Sequence, residues 1–482
     1  MKILSITAGA AGMYCGSCAR DNSLAAELLS RGHDVTLVPV YTPTRTDEPN
    51  LSRDRVLFSG ISVCLQQSAG LFRKTPRFLD GLWDSPWFIQ KFAGRSVSVN
   101  PRMLGDLTLS MLRGEEGLLK KEYGKLLDWV AAEPLPDVIN LPNSLLIALA
   151  EPLRKRFQRP ICCTLQGEEL FLNGLEPAFR EPALDLIRRQ VRHVDRFIAV
   201  SDFCARFMSE FLAIPAEKMA VVPLGISLAG YDSSRAARPA GGEFRVGYFA
   251  RIAPEKGLHL LADAYARFRQ KTKQQTIGQA RPDSIGAPAR LEAAGSMLPD
   301  QKAYLESVRR TLDQAGLADE FSYRGSIDRD EKIAFLRSLD LLSVPATHDE
   351  PKGLFVLEAM AAGVPVVQPR RGAFIEMIEK TGGGLLVEPD NPDSLAGGLF
   401  TLWQDRALAA TLGQRASQGV RAHYTVAHSA QRLLEVYDDV LRSAAPHGHE
   451  AEAPGSRGKR GQETGRSAGK IGPDVLARSI QR

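Results

Sequence analysis

The chain has no long apolar runs of the kind that mark membrane proteins, and its first residues are not expected to be a secretory leader. Its longest apolar runs, such as Leu339 to Ala346, fall far short of the ~18 residues that a membrane-spanning helix needs. The apolar stretch from Met1 to Ala10 is short, contains glycine near its end and has no basic region before it. We therefore interpret this stretch as a buried strand and expect a cytoplasmic protein.

Cysteine is scarce, and the charge is nearly balanced. The six cysteines all lie in the first half of the chain, at positions 15, 18, 64, 162, 163 and 204. This is too sparse for the disulfide framework of a secreted domain, so reduced thiols are expected. Of the net charge of +5, residues 443–482 contribute +3, from seven Lys or Arg against four Asp or Glu. The remaining +2 is too small to indicate a nucleic-acid partner.

The chain has enough apolar residues to bury a large core. It contains 482 residues, of which 44% are hydrophobic and 24% are charged, close to the averages of globular proteins. A single small fold is excluded at this length. Three ordinary domains or two larger α/β domains are expected.

Short β-branched runs alternate with longer helical patterns along most of the chain, which is typical of parallel strands joined by crossover helices. This alternation predicts an α/β fold with two doubly wound, Rossmann-like domains that face a cleft. The first domain is predicted over residues 1–226 and the second over 244–425. Residues 227–243 are rich in Gly, Ala, Ser and Pro, which is typical of an interdomain linker.

Three segments do not follow this alternation. Residues 271–288 are polar and contain Pro and Gly, which predicts an insertion between a helix and the next strand. Residues 71–95 mix aromatic and basic side chains, so they are expected either to dock a lipid-linked acceptor or a membrane surface, or to pack as an irregular helix pair. Residues 443–482 contain ten Gly or Pro and no aromatic residue, which predicts a disordered tail.

Two groups of charged residues lie where predicted strands of the second domain end. Arg251 and Lys256 stand between a strand and a helix start, where two cations and free backbone N–H groups could hold a diphosphate. Solvated side chains in a loop are the alternative. Glu350 precedes a short apolar helix and Glu358 lies within it. Since a buried carboxylate needs hydrogen-bond donors, ribose hydroxyls would suit Glu358, although ordinary surface positions remain an alternative for each.

These residues resemble the motifs of the family-four retaining glycosyltransferases, also called glycosyltransferase group 1, which have the GT-B fold. Glu350 and Glu358, with seven residues between them, resemble the E-x7-E segment, and Arg251 to Gly257 resembles the R-x4-K-G loop. Further similar segments occur in the family's order over residues 1 to about 440: Arg31 to Val35, Val200 to Asp202, Val221 to Ile226 and Gly382 to Val387.

The resemblance implies a role for each matching residue. It implies that Arg251 and Lys256 hold the donor diphosphate, that Glu350 contacts the donor sugar and that Glu358 binds the ribose. It also implies donor contacts for the following residues: Gly12, Gln166, Lys352, Gly353 and Leu354. The last helix, about residues 426–441, is implied to pack back on the first domain. No cofactor and no metal are expected, because family members usually act without a metal.

The sequence departs from the family's pattern at three places. Gln166 replaces a histidine that often contacts the sugar, and glutamine cannot carry a proton. Pro351 and Lys352 replace a more flexible opening of the E-x7-E segment. In the first loop, Cys15 and Cys18 stand near the position of the usual glycine pair. This Cys-x-x-Cys indicates either packing in a tight loop or a redox or metal role.

The resulting prediction is a retaining transferase that moves a hexosyl unit from a UDP- or GDP-linked sugar to a hydroxyl acceptor, in polysaccharide or glycolipid biosynthesis. The acceptor could be lipid-linked, with peripheral contact to a membrane. The alternatives are a non-catalytic nucleotide-sugar-binding protein and a nucleotide-sugar epimerase of the same fold. A dinucleotide oxidoreductase is disfavoured because the first loop has no G-x-G-x-x-G.

Overall fold

The computed structural model describes residues 1–9, 15–53, 101–231, 242–278 and 288–444. Three predictions concern residues outside these ranges: the donor contact of Gly12, the docking segment 71–95 and the tail beyond residue 444. Most of the predicted linker also lies outside them. No helix in the described ranges combines the length and the apolar character needed to cross a membrane.

A six-stranded parallel sheet occupies the first half of the chain, in the order β2-β1-β3-β4-β5-β6. Its strands are β1 (Lys2–Thr7), β2 (Asp34–Pro39), β3 (Val138–Leu141), β4 (Ile161–Leu165), β5 (Arg196–Ala199) and β6 (Met219–Val221). Every residue of β3 and β4 is buried. Strands that are buried throughout are expected when helices cover both faces of a parallel sheet.

A second six-stranded parallel sheet follows, in the order β12-β11-β10-β7-β8-β9. Its strands are β7 (Phe244–Phe249), β8 (Ala289–Ala294), β9 (Phe321–Tyr323), β10 (Leu341–Leu342), β11 (Val366–Pro369) and β12 (Gly384–Val387). In both sheets the strand order reverses beside the first strand of that half. This confirms the predicted α/β class with two doubly wound sheets.

Helices connect the strands in both halves. The helices of the first half are α1 (Gly16–Ser30), α2 (Pro101–Leu112), α3 (Lys120–Ala132), α4 (Ala150–Phe157), α5 (Glu169–Asn173), α6 (Pro177–Gln190) and α7 (Asp202–Leu212). Those that follow are α8 (Leu258–Gly278), α9 (Lys302–Gln314), α10 (Arg329–Ser338), α11 (Leu354–Ala361), α12 (Phe374–Thr381), α13 (Pro392–Gln404), α14 (Arg406–His423) and α15 (Val426–Ala444).

Two predicted boundaries are wrong. Residues 271–278 belong to α8, although their polarity indicated an insertion. The helix continues because the exposed side of a helix tolerates a polar run as well as a loop does. At the other end of the chain, α15 extends to Ala444, so the first two residues of the predicted tail are helical.

The last helix returns to the first sheet. Leu433, Val436, Tyr437 and Val440 of α15 form one apolar cluster with side chains of β1, β3, β4 and β5. The chain enters this helix beside Ile226, whose backbone N–H donates to Tyr424 (2.9 Å) and whose carbonyl accepts from Val426 (3.0 Å). The first sheet is therefore covered on one face by a helix from the end of the fold.

Candidate functional site

The loop after β7 carries Arg251 and Lys256 and ends at a glycine. Gly257 has φ +74°, and a Cβ at this position would overlap the carbonyl of Pro345. Glycine therefore lets the loop turn into α8 directly against the segment after β10. Arg251 lies at the open side, with 39% of its side chain exposed and its Nη2 2.6 Å from Glu255 Oε1. The side chain of Lys256 is only 16% exposed.

Lys256 forms an ion pair with Glu350, which is 3% exposed. His348 Nε2 lies 3.6 Å from the same Glu350 oxygen. The other oxygen accepts long hydrogen bonds from the backbone N–H groups of Lys352 (3.3 Å) and Gly353 (3.4 Å). Burial alone would raise the pKa of Glu350, but Lys256 and His348 outweigh it and hold the pKa well below its usual value. Glu350 is thus an ionised carboxylate in a largely dry environment.

The loop from Glu350 to Leu354 reaches from the second half to the carboxyl edge of the first sheet. The carbonyl of Pro351 accepts a hydrogen bond from Ser201 Oγ (2.9 Å), just after β5. Lys352 Nζ donates to Ser17 Oγ in the first turn of α1 (2.9 Å). Gly353 then adopts φ +69°, and α11 begins at Leu354. The loop from Glu350 to Leu354, which belongs to the second half, therefore also contacts two segments of the first half, at Ser201 and at Ser17.

Glu358 has a partner that the sequence did not indicate. Its Oε1 lies 2.6 Å from Nζ of Lys332, a buried lysine of α10. The same ammonium contacts Asp47, which follows β2 in the first half. Burial would raise the pKa of Asp47, but Lys332 and Arg329 lower it below its usual value. The sequence predicts a ribose hydroxyl as the hydrogen-bond donor of Glu358. In this structure the donor is the ammonium group of Lys332, which also contacts Asp47 of the first half.

Gln166 lies directly after β4 and is 5% exposed. Its Nε2 donates to the carbonyl of Pro142 (3.1 Å) and lies 3.4 Å from Asp21 Oδ1. Asp21 is itself buried, and this burial raises its pKa despite the opposing charge of Arg20. Gln166 Oε1 has no hydrogen-bond partner among the described residues. The hydrogen bonds of Nε2 therefore orient the amide of Gln166, while Oε1 has no partner among the described residues.

Cys15 and Cys18 are both free thiols at the start of α1. A hydrogen bond from Cys18 lowers the pKa of Cys15; the charge of Lys352 adds to this effect, and burial opposes it. The same pairing and burial raise the pKa of Cys18. Within the described ranges, no three His, Cys, Asp or Glu side chains are grouped as a metal site requires. The packing and redox interpretations both remain compatible with this geometry.

The sequence-predicted residues meet around the loop from Glu350 to Leu354. Lys256 forms an ion pair with Glu350, the first residue of this loop. The guanidinium of Arg251 pairs with the carboxylate of Glu255. The backbone carbonyl of Glu255 in turn lies 3.1 Å from His348 Nδ1. Gly167, next to Gln166, packs against Pro351. Sequence reasoning missed Lys332 and Asp47, which no motif marks, and it missed Glu169, although adjacent acids directly after a buried strand are a readable signal.

Two protein-family models match the chain. One, described as Glycosyl transferase 4-like domain, matches residues 19–225. The other, described as Glycosyl transferases group 1, matches residues 232–419. The two matches follow the same division as the two sheets.

Individual proteins agree with these models. The chain is 30% identical over 283 residues to a D-inositol 3-phosphate glycosyltransferase of Kineococcus radiotolerans, covering 55% of this chain and 62% of that protein. Across eight curated relatives, the chain spans between 37% and 66% of their length.

Solved structures share the fold. Sucrose-phosphate synthase from Thermosynechococcus elongatus superposes with a TM-score of 0.64 at 19% identity, covering 92% of this chain and 100% of that one. Anabaena Alr3699/HepE in complex with UDP-glucose gives 0.59 at 19% identity, covering 91% and 100%. These structures have the GT-B architecture that the two facing sheets show here. The chain belongs to the glycosyl transferases group 1 family, with a 4-like domain in its first half.

Proposed function

We propose that the protein transfers a hexosyl unit from a UDP- or GDP-linked sugar to a hydroxyl acceptor, with retention of the anomeric configuration. The observation that carries this proposal is the buried ion pair of Lys256 and Glu350, in a loop that contacts both sheets. The proposal is supported by the names of relatives, which include a D-inositol 3-phosphate glycosyltransferase and a GDP-mannose-dependent mannosyltransferase. It is also supported by a fold neighbour in complex with UDP-glucose.

In this proposal, positive side chains stabilise the leaving diphosphate. As the bond between the anomeric carbon and the diphosphate breaks, its electron pair stays on the diphosphate oxygen and negative charge builds there. Arg251 is exposed enough to meet this charge directly. Lys256 is already fixed by Glu350, so its charge needs no reorganisation in the transition state. No metal is needed in this scheme.

The other site residues hold the donor in the same proposal. Glu350 faces the sugar hydroxyls, while Lys352, Gly353 and Leu354 line the start of α11 beside it. Glu358 binds the ribose together with Lys332. Gln166 faces the sugar from the first half, and Gly12 lets the backbone approach the donor. The domain limits 1–226 and 244–425, with a linker between them, belong to the same proposal.

The acceptor belongs to the proposal in class only. The names of relatives include a D-inositol 3-phosphate glycosyltransferase, a mannosyltransferase of lipopolysaccharide core biosynthesis and a phosphatidylinositol monomannoside mannosyltransferase. A hydroxyl of a polar head group, free or lipid-linked, is the common chemistry. We propose such a hydroxyl as the acceptor.

A donor panel tests the proposal. Release of nucleotide from UDP-glucose, UDP-galactose and GDP-mannose is measured with and without EDTA, alongside the products that carry the sugar. We expect turnover of at least one donor that survives EDTA, and a loss of about 10²-fold in kcat for Lys256→Met. The exposed Lys155→Met is the matched control, since its side chain is 71% exposed on α4. Binding without turnover would favour a non-catalytic protein, and an isomerised nucleotide sugar would favour an epimerase.

A further inference from the structure

Two adjacent glutamates follow β4 at the carboxyl edge of the first sheet, and only one of them has hydrogen bonds to both of its carboxylate oxygens. Glu168 Oε1 accepts from the backbone N–H of Ser144 (2.9 Å), and Glu168 Oε2 accepts from that of Gln166 (2.8 Å). This carboxylate therefore ties the ends of β3 and β4 together. Its role is complete without any ligand.

Glu169 has no such partner. The residue is 8% exposed, and its Oε2 is fully buried without a hydrogen bond from any described residue. Gln166 Oε1, directly after the same strand, is also buried without a hydrogen bond from any described residue. A buried acceptor oxygen without a donor costs free energy, so two of them within one short segment after β4 indicate that bound molecules supply the donors.

The position of these two oxygens relates them to the proposed donor site. Gly167, between Gln166 and Glu169, has φ +97°, and a Cβ there would lie 2.9 Å from Pro351 Cγ. The turn thus packs on the loop that is proposed to hold the donor sugar. A group bound to Glu169 would lie next to that sugar, on the side of the first sheet.

Charges around Glu169 select the chemistry of this group. Burial raises the pKa of Glu169 to about 7, and the charges of Glu168 and Glu350 add to the rise, while a hydrogen bond from its own backbone N–H and the charge of Lys352 oppose it. The thiol of Cys204 on α7 also faces this carboxyl, and its pKa is raised by burial. Because Lys256 already pairs with Glu350, Lys352 faces the charges of Glu168 and Glu169, and this excess of acids disfavours an anion at this point. A neutral hydroxyl, which donates a hydrogen bond to a carboxylate, fits.

Given the function proposed above, we infer that Glu169 forms the subsite for the acceptor, beside the donor sugar that Gln166 faces, and that its carboxylate accepts hydrogen bonds from neighbouring hydroxyls of a neutral polyol ring. Any phosphate or lipid carried by the acceptor lies away from Glu169. The ionised carboxylate is the stronger hydrogen-bond acceptor, so polyol affinity rises with pH through the neutral range.

Saturation-transfer NMR tests this inference without knowledge of the natural acceptor. The probes are myo-inositol, methyl α-D-glucopyranoside and methyl α-D-mannopyranoside, each titrated in the presence of UDP or GDP. We expect at least one probe to bind wild type about tenfold more tightly at pH 8 than at pH 6, because the ionised fraction changes by that factor around a pKa near 7. In Glu169→Gln, affinity falls at pH 8 and no longer depends on pH.

The exposed Glu181→Gln, on α6, is the matched control, with 61% of its side chain exposed. If nucleotide binds but no probe does, or if Glu169→Gln binds polyol as wild type does, the subsite assignment is overturned while the proposed function stands. If polyol binds with the expected pH dependence but neither UDP nor GDP binds, the subsite stands and the proposed donor is wrong.

Discussion

Replacing Lys256 by methionine separates the structural role of this lysine from its proposed role in turnover. The substitution keeps most of the side-chain length and removes the charge, leaving Glu350 buried with one oxygen facing His348 and the other facing two long backbone hydrogen bonds. Removing one partner of a buried ion pair typically costs about 3–5 kcal/mol. Because the Lys256 side chain is 16% exposed and Glu350 keeps other partners, we expect a value near the lower end, about 3 kcal/mol.

The unfolding free energy that Lys256→Met loses depends on pH. In wild type the pKa of Glu350 is depressed, so the pair stabilises the fold above the usual glutamate pKa and loses this effect only as pH falls through the depressed value. Without Lys256, burial is less opposed and the pKa of Glu350 rises. The carboxyl then takes up a proton as pH falls, which relieves the cost. The stability difference between wild type and Lys256→Met should therefore be larger at pH 8 than at pH 5.

Urea unfolding and donor turnover, measured on the same proteins, provide the assay. The double variant Lys256→Met with Glu350→Gln should recover most of the unfolding free energy, because a neutral pair no longer buries an uncompensated charge. Turnover should stay about 10²-fold below wild type in both variants. An unchanged unfolding free energy in the single variant would refute the burial argument. Recovery of turnover in the double variant would refute the role of Lys256 in diphosphate stabilisation.

Three further predictions concern other buried charges. Glu169→Gln should stabilise the protein by about 3 kcal/mol at pH 8 and not at pH 4. The reason is that burial raises the pKa of Glu169 from 4.5 to about 7, so ionisation of this carboxyl destabilises the fold as pH rises between these values. Equal urea midpoints for wild type and variant at pH 8 would contradict this. Cys15 should react with iodoacetamide below pH 7, because a hydrogen bond from Cys18 stabilises its thiolate. The reaction should be slower in Cys18→Ala, which lacks this donor, and not slower in Cys18→Ser, which keeps one. Equal alkylation rates of wild type and Cys18→Ala, measured by mass spectrometry, would contradict this. Lys332→Met should lower the unfolding free energy by about 3 kcal/mol, and adding Glu358→Gln should recover part of it; full stability of the single variant in urea would refute the pairing.

Most of the fold was predictable from local pattern. Strands such as β3 and β4 are short, mostly apolar runs, and the segments between them have helical patterns, so the α/β class and its two halves follow from short-range signals. The loop with Lys256 and the loop with Glu350 were recognisable because each follows a buried strand, and the carboxyl ends of parallel strands meet at one edge. The error at residues 271–278 arose because polarity alone does not distinguish an exposed helix from a loop.

The pairing of charges was not predictable. Glu358 was expected to need donors, yet nothing in the sequence indicated that Lys332, 26 residues earlier, would pair with it, or that Asp47 in the other half would contact the same lysine. The same holds for the two glutamates after β4, of which Glu168 is fully hydrogen-bonded and Glu169 is not. Identical residue types at adjacent positions received different environments because Glu168 caps the helix α5 and Glu169 begins it, and successive side chains of a helix are turned by about 100°.

By itself, the sequence determined the alternation of strands and helices, the loops that carry the candidate residues and the family to which the chain belongs. These features depend on periodicity and on residues close together in the chain. Only the tertiary structure decided which carboxylate is buried with a cation and which is buried without one. That outcome depends on desolvation and on distances between segments far apart in sequence, and both are set only when the two sheets pack against the loops between them.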